Sequence, residues 1–115
     1  MQAILFDMDG VLYNSEDSIE GAADALRWVR ARRIPHLFVT NTTSRGRDLL
    51  VEKLQRFGIP AAPDDILTPC VAAAELLRTR GGNVALFVSL KARAEFDGLP
   101  CLPDVAEEGA RHVVI

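Results

Sequence analysis

The sequence predicts an α/β protein built on a parallel sheet with helices on its faces. Two observations carry that prediction. Apolar runs of strand length alternate with segments of helical period. The first run, Ala3-Ile4-Leu5-Phe6, is continuously apolar rather than alternating, the pattern of a strand buried on both faces.

Gln2–Phe6 is the first strand. A helix is predicted over about Ile19–Arg32, where Ile19, Ala23, Leu26 and Val29 recur at helical spacing and Ile34-Pro35 ends the run. His36–Thr40 is the second strand. Ser44 then offers an N-cap for a helix whose inner face carries Leu50, Leu54 and Phe57, and Gly58 supplies the left-handed stop. Thr68-Pro69 reads as a cap followed by proline at the first helical position, and that helix runs to about Arg80 before Gly81-Gly82. Val84–Val88 is a third strand, Lys91–Phe96 a short helix, Asp97–Pro103 a loop, and His112–Ile115 the start of another strand. There is no internal repeat, low-complexity tract or linker. Because the chain stops inside an apolar strand, it reads as part of something longer. An incomplete sheet leaves open edges and uncovered apolar surface, so self-association is expected.

The chain has 115 residues, the size of one modest domain. Its 49 % hydrophobic and 25 % charged residues are the balance of a soluble globular protein. A formal charge of −3 argues against a nucleic-acid partner, since such domains are usually basic. Cys70 and Cys101 lack metal-site or disulfide-framework spacing and suit a reducing compartment. No apolar run has the length of a signal sequence or a membrane span, which leaves the cytoplasm as the expected location and no membrane partner.

The chemistry lies in Phe6-Asp7-Met8-Asp9-Gly10-Val11-Leu12-Tyr13. In a parallel sheet, ligands bind beyond the carboxyl ends of the strands. Asp7 and Asp9 fall there on the first strand, and Thr40-Asn41-Thr42-Thr43 there on the second. Carboxylates this close repel unless a cation or proton neutralises them. Their hard oxygens suit Mg²⁺, which takes one or two protein carboxylates beside a substrate phosphate. One carboxylate can then attack phosphorus to give an aspartyl-phosphate, and the other can serve as general acid and base. Thr40 and Asn41 can donate to phosphoryl oxygens, the following helix N-terminus near Arg45 adds backbone N–H groups, and Gly10 lets the backbone turn behind the pair. An EF-hand reading fails, because counting from Asp7 places Val11 and Ser18 where that loop needs an oxygen ligand and a glutamate.

Asp-Met-Asp-Gly-Val-Leu-Tyr, followed after one helix by Leu-Phe-Val-Thr-Asn-Thr-Thr-Ser-Arg, resembles the haloacid dehalogenase superfamily. Within it, the sequence is similar to the nitrophenyl-phosphate, nucleotide-monophosphate and phospholysine/phosphohistidine phosphatase branch. The resemblance runs from the first strand to Leu67-Thr68-Pro69-Cys70-Val71-Ala72-Ala73-Ala74. It implies an incomplete Rossmann-like, three-layer αβα core and a Mg²⁺-dependent hydrolysis of a small phosphomonoester. On matching positions it implies Asp7 as nucleophile and metal ligand, and Asp9 as general acid/base with its carbonyl on the metal. Thr40 and Asn41 would bind the transferred phosphate, and Gly10 would be a backbone position.

The family also uses a lysine and a further acidic pair that follow an inserted cap. Lys53 and Lys91 are the only lysines, and neither has that context. Asp64-Asp65 stands in a turn before Ile66, and Arg45 and Arg47 read as a solvated helix face. Residues 1–115 are therefore expected to be the N-terminal part of the core, without cap or the rest of the core, and weakly active or inactive alone. The alternative is a receiver-like phospho-acceptor or non-catalytic binding domain. It would need another aspartate at the end of a later central strand and a lysine beyond it, whereas Val84–Val88 is followed by Ser89.

Overall fold

The computed structural model describes residues 2–115. These fall into two compact units. The first comprises residues up to Asn41 together with Arg47–Leu67, and the second comprises Thr42–Gly46 with Thr68–Ile115.

In the first unit, β1 (Ile4–Asp7), β4 (His36–Val39) and β5 (Ile66–Leu67) form a parallel sheet in the order β1-β4-β5. Between β1 and β4 the chain makes a small antiparallel hairpin, β2 (Tyr13–Asn14) with β3 (Asp17–Ser18), and then α1 (Ala22–Ala31). Between β4 and β5 runs α2 (Arg47–Arg56). Phe6 pairs with Phe38, and Phe38 with Ile66, so one row of side chains crosses the sheet in register. That row joins Leu26 of α1 and Leu50 and Leu54 of α2 in a single buried cluster. Both crossovers step across the sheet in the same direction, and right-handed crossovers of that kind place their helices on one face.

Leu5 lies on the opposite face and is 70 % exposed. The expectation that the first strand is buried on both faces is therefore not met within this unit. Its reason is that α1 and α2 pack on the other face of the sheet, with Phe6 and Phe38.

Local signals explain most boundaries. Gly21 is left-handed (φ 82°), so α1 starts at Ala22 and not at Ile19. Gly58 (φ 73°) ends α2 as expected, with Ile59 N–H donating back to Leu54 O at 3.0 Å and the Ile59 side chain fully buried. Ser44 does not cap α2, which begins three residues later at Arg47. Ser44 O instead accepts from Ser89 Oγ at 2.9 Å. A Cβ on Gly46 would stand 2.6 Å from Lys91 O, so this close approach requires glycine.

The second unit holds α3 (Pro69–Arg80), β6 (Val84–Leu86) and β7 (His112–Val114). Thr68 Oγ1 accepts from Val71 N–H at 3.2 Å and Pro69 takes the first helical position, as the sequence predicts. Arg93–Phe96 forms a short 3-10 turn. Strands β6 and β7 pair in parallel with each other, Ala85 opposite Val113, rather than joining the sheet of β1. Cys70, Ala74, Leu77, Val84, Leu86, Ala92 and Phe96 form the core of this unit. Among the described residues no helix is long and apolar enough to cross a membrane, and both cysteines are free.

Candidate active site

The acidic pair is built by alternation. Phe6 points toward the core cluster, Asp7 away, and Met8 is fully buried again, so Asp7 and Asp9 on either side of Met8 remain exposed. Met8 also anchors the turn through its carbonyl, which accepts from Leu12 N–H at 2.9 Å and, at 3.4 Å, from Val11 and Tyr13 N–H. Gly10 is left-handed (φ 82°) and donates its N–H to Tyr13 O at 2.7 Å. The chain can thus reverse behind the two carboxylates without a Cβ penalty.

Asp7 Oδ1 accepts from Met8 N–H at 2.7 Å. Asp9 Oδ1 accepts from Ser15 N–H at 3.4 Å, and Asp9 forms a bridge with Tyr13. The hairpin β2–β3 therefore holds one end of the acidic pair. Sequence patterning missed this hairpin because each strand is two residues long. The signal that could have found it is Asn14-Ser15-Glu16-Asp17, a run of turn-forming polar residues in which Ser15 takes a left-handed φ of 53°.

The parallel register brings the second motif alongside. Asp7 stands opposite Val39, and Thr40 is the next residue along β4. Thr40 is 5 % exposed and its N–H donates to Leu67 O at 3.1 Å, which ties the carboxyl ends of β4 and β5 together. Its backbone donor is thus engaged in the fold. Asn41 follows and is exposed. Asp7 and Thr40 accordingly lie at the carboxyl end of one sheet, with Asp9, Gly10 and Asn41 in the segments that follow them.

Other acidic and basic candidates do not join them. Asp65 accepts from Ala62 N–H at 2.9 Å and from Arg30 Nη2 at 3.2 Å. Arg47 Nη1 reaches Pro63 O and Asp64 Oδ1 at 3.3 and 3.5 Å, bracing α2 on the turn before β5. His36 Nδ1 lies 3.0 Å from Ile34 O and the ring stands edge-on to Phe6 and Phe38, a packing role.

The donor chemistry of Asp7 and Asp9 fits a hard divalent cation such as Mg²⁺, since both are exposed carboxylates beyond one strand end. Among the described residues, no group of three or more His, Cys, Asp or Glu side chains converges to hold a metal ion. Two carboxylates suffice only where water and a phosphate complete the shell.

Paired carboxylates and a Thr-Asn step thus lie at the ends of adjacent parallel strands of an α/β core. The haloacid dehalogenase-like hydrolase pattern matches residues 4–99, and the chain belongs to that family. It is 34 % identical over 87 residues to an acid sugar phosphatase of Staphylococcus epidermidis, a stretch covering 76 % of this chain and 34 % of that relative. Among solved structures it is similar to a p-nitrophenyl phosphatase from Archaeoglobus fulgidus, with 25 % identity and a TM-score of 0.79 over 88 % of this chain and 40 % of that one. It is also similar to a glycerol phosphate phosphatase from Mycobacterium tuberculosis in complex with magnesium, with 29 % identity and a TM-score of 0.76 over 88 % of this chain and 31 % of that one. The chain thus spans about a third of the length of the curated relatives it matches. The fold is the expected one, an incomplete Rossmann-like core with a parallel sheet, and by family the chain is a hydrolase.

Proposed function

We propose that this chain supplies the N-terminal part of a Mg²⁺-dependent phosphatase that cleaves a small phosphomonoester through an aspartyl-phosphate on Asp7. The observation that carries the reading is the register of β1 and β4, which sets Asp7 opposite Val39, one residue before Thr40, at the carboxyl end of the sheet. Asp7 attacks phosphorus in line with the leaving alcohol. Asp9, two residues on, protonates that alcohol and then takes a proton from the water that hydrolyses the intermediate. The Thr40 hydroxyl and the Asn41 amide orient the phosphoryl oxygens. When bound, Mg²⁺ would be held by the Asp7 carboxylate and the Asp9 carbonyl, and would offset the repulsion between a carboxylate and a phosphate dianion.

The cap and the remainder of the core, including the lysine and the further carboxylates, belong in this reading to chain outside residues 1–115. The single ladder neighbour of β1 among the described residues supports it, since it marks a sheet edge that further strands can extend. Two free cysteines fit a cytoplasmic setting. The relatives act, by their names, on sugar phosphates, glycerol phosphate and p-nitrophenyl phosphate, which supports a small phosphorylated substrate.

The receiver-like alternative would need an aspartate at the end of β6, and Val84–Leu86 is followed by Phe87, Val88 and Ser89. The test is Mg²⁺ titration and p-nitrophenyl phosphate turnover of this chain. Weak metal binding and slow turnover abolished by Asp7→Asn are expected. Turnover at the rate of complete family enzymes would overturn the claim that parts are missing, and turnover insensitive to Asp7→Asn would overturn the phospho-aspartate.

A further inference from the structure

Lys53 lies on the inner face of α2, one residue before Leu54, and is itself buried, with its side chain 6 % exposed. Lysine normally keeps its ammonium in water and buries only its stem. Here the head is drawn inward to two partners, and both belong to the β2–β3 hairpin. Nζ stands 4.1 Å from the centre of the Tyr13 ring and 3.4 Å from Glu16 Oε1. Arg56, three residues on, reaches the other oxygen of Glu16 at 3.4 Å. Phe57, one turn beyond Lys53, packs its ring 5.7 Å from that of Tyr13. Thus α2 grips the hairpin at its base through Tyr13 and at its tip through Glu16.

The gripped hairpin is the one that holds the acid pair. Tyr13 O receives the Gly10 N–H, Tyr13 bridges Asp9, and the Ser15 N–H faces the Asp9 carboxylate. An apolar residue would fill the position of Lys53 at less desolvation cost. A cation there selects the π face of one hairpin residue and the carboxylate of another, and so fixes the angle at which the hairpin meets α2.

We propose that Lys53 is a positioning residue, which sets the hairpin against Asp9 and thereby the orientation of the Asp9 carboxylate. Its catalytic consequence rests on the phosphatase reading above. Its structural content does not.

The test compares the unaltered chain with Lys53→Met, Lys53→Arg and Glu16→Gln by amide hydrogen exchange, with p-nitrophenyl phosphate turnover in Mg²⁺ as a second readout. In Lys53→Met, exchange at Gly10 and Ser15 is expected to quicken about tenfold, the scale of a desolvated cation–π contact. Ile4 and Thr40, bonded to Pro35 O and Leu67 O, should be unaffected. Lys53→Arg should restore most of the protection, and Glu16→Gln should give a smaller loosening confined to the same amides. Any turnover should fall in kcat with KM unchanged. Unchanged protection at Gly10 and Ser15 in Lys53→Met overturns the proposal, as does equal loosening at Ile4 and Thr40. If Lys53→Met does not fold, Glu16→Gln decides by the same amides. Absence of turnover in the unaltered chain counts against its phosphatase activity, while the exchange data still decide the role of Lys53.

Discussion

Asp7 and Val39 face each other across a parallel ladder, so Thr40, the first residue past Val39, follows at the same carboxyl end of the sheet as Asp7. A slip of one residue in that register would move Thr40 away and turn Phe38 out of the core. The core-facing row Phe6-Phe38-Ile66, half-buried at Phe6 and buried at the other two, therefore sets the strand register at the site as well as stabilising the sheet.

If Asp7 carries the phosphoryl group, Asp7→Asn keeps the fold and lowers turnover by at least about 10³-fold, the scale for removing a nucleophile. Thr40→Ser, which keeps the hydroxyl, should retain more activity than Thr40→Val. Steady-state p-nitrophenyl phosphate assays decide between them, and equal losses in both Thr40 variants would show that the hydroxyl has no part.

Gly10→Ala meets no neighbouring atom within 4 Å, so its cost is the left-handed backbone alone. A loss of about 1–2 kcal/mol in urea unfolding is expected. Gly10→Asn should lose less, because asparagine tolerates that conformation. Equal losses would point to a cause other than φ.

Phe38→Ala removes a fully buried ring from the middle strand of the first unit. The expected cost is about 3–5 kcal/mol, a large share of the stability of a small domain. Phe38→Leu should cost much less. Denaturant titration followed by far-UV circular dichroism measures both.

Burial, and secondarily the charge of Glu95, raise the pKa of the Cys70 thiol above its usual 9.0. A folded-state pKa above the unfolded one means that the contribution is complete below the ordinary thiol value and fades as pH rises through the raised one. Cys70 should therefore resist iodoacetamide near neutral pH while the exposed Cys101 reacts. Cys70→Ala should flatten the alkaline limb of the stability profile. Faster alkylation of Cys70 than of Cys101 would contradict this account.

Much of the site was legible because its parts are local. Asp7, Asp9 and Gly10 announce a strand end and a tight turn within four residues, and Thr40-Asn41 closes the next apolar run. Caps and stops such as Thr68-Pro69 and Gly58 act through their own backbone, so their positions could be read directly. Ser44 misled because capping depends on where the chain goes next, and Gly46 is drawn against Lys91.

The sequence by itself determined the alternation of the longer strands and helices, though not β2, β3 or β5, the acidic pair and its turn, and the kinship with haloacid dehalogenase-like hydrolases. Only the tertiary structure decided the pairings: that β1 neighbours β4, that β6 joins β7, and that Leu5 faces outward. It alone showed Lys53 buried against Tyr13 and Glu16. The physical reason is range. Propensity, capping and φ preference act over a few residues, whereas register and the pairing of a buried charge depend on segments far apart in sequence.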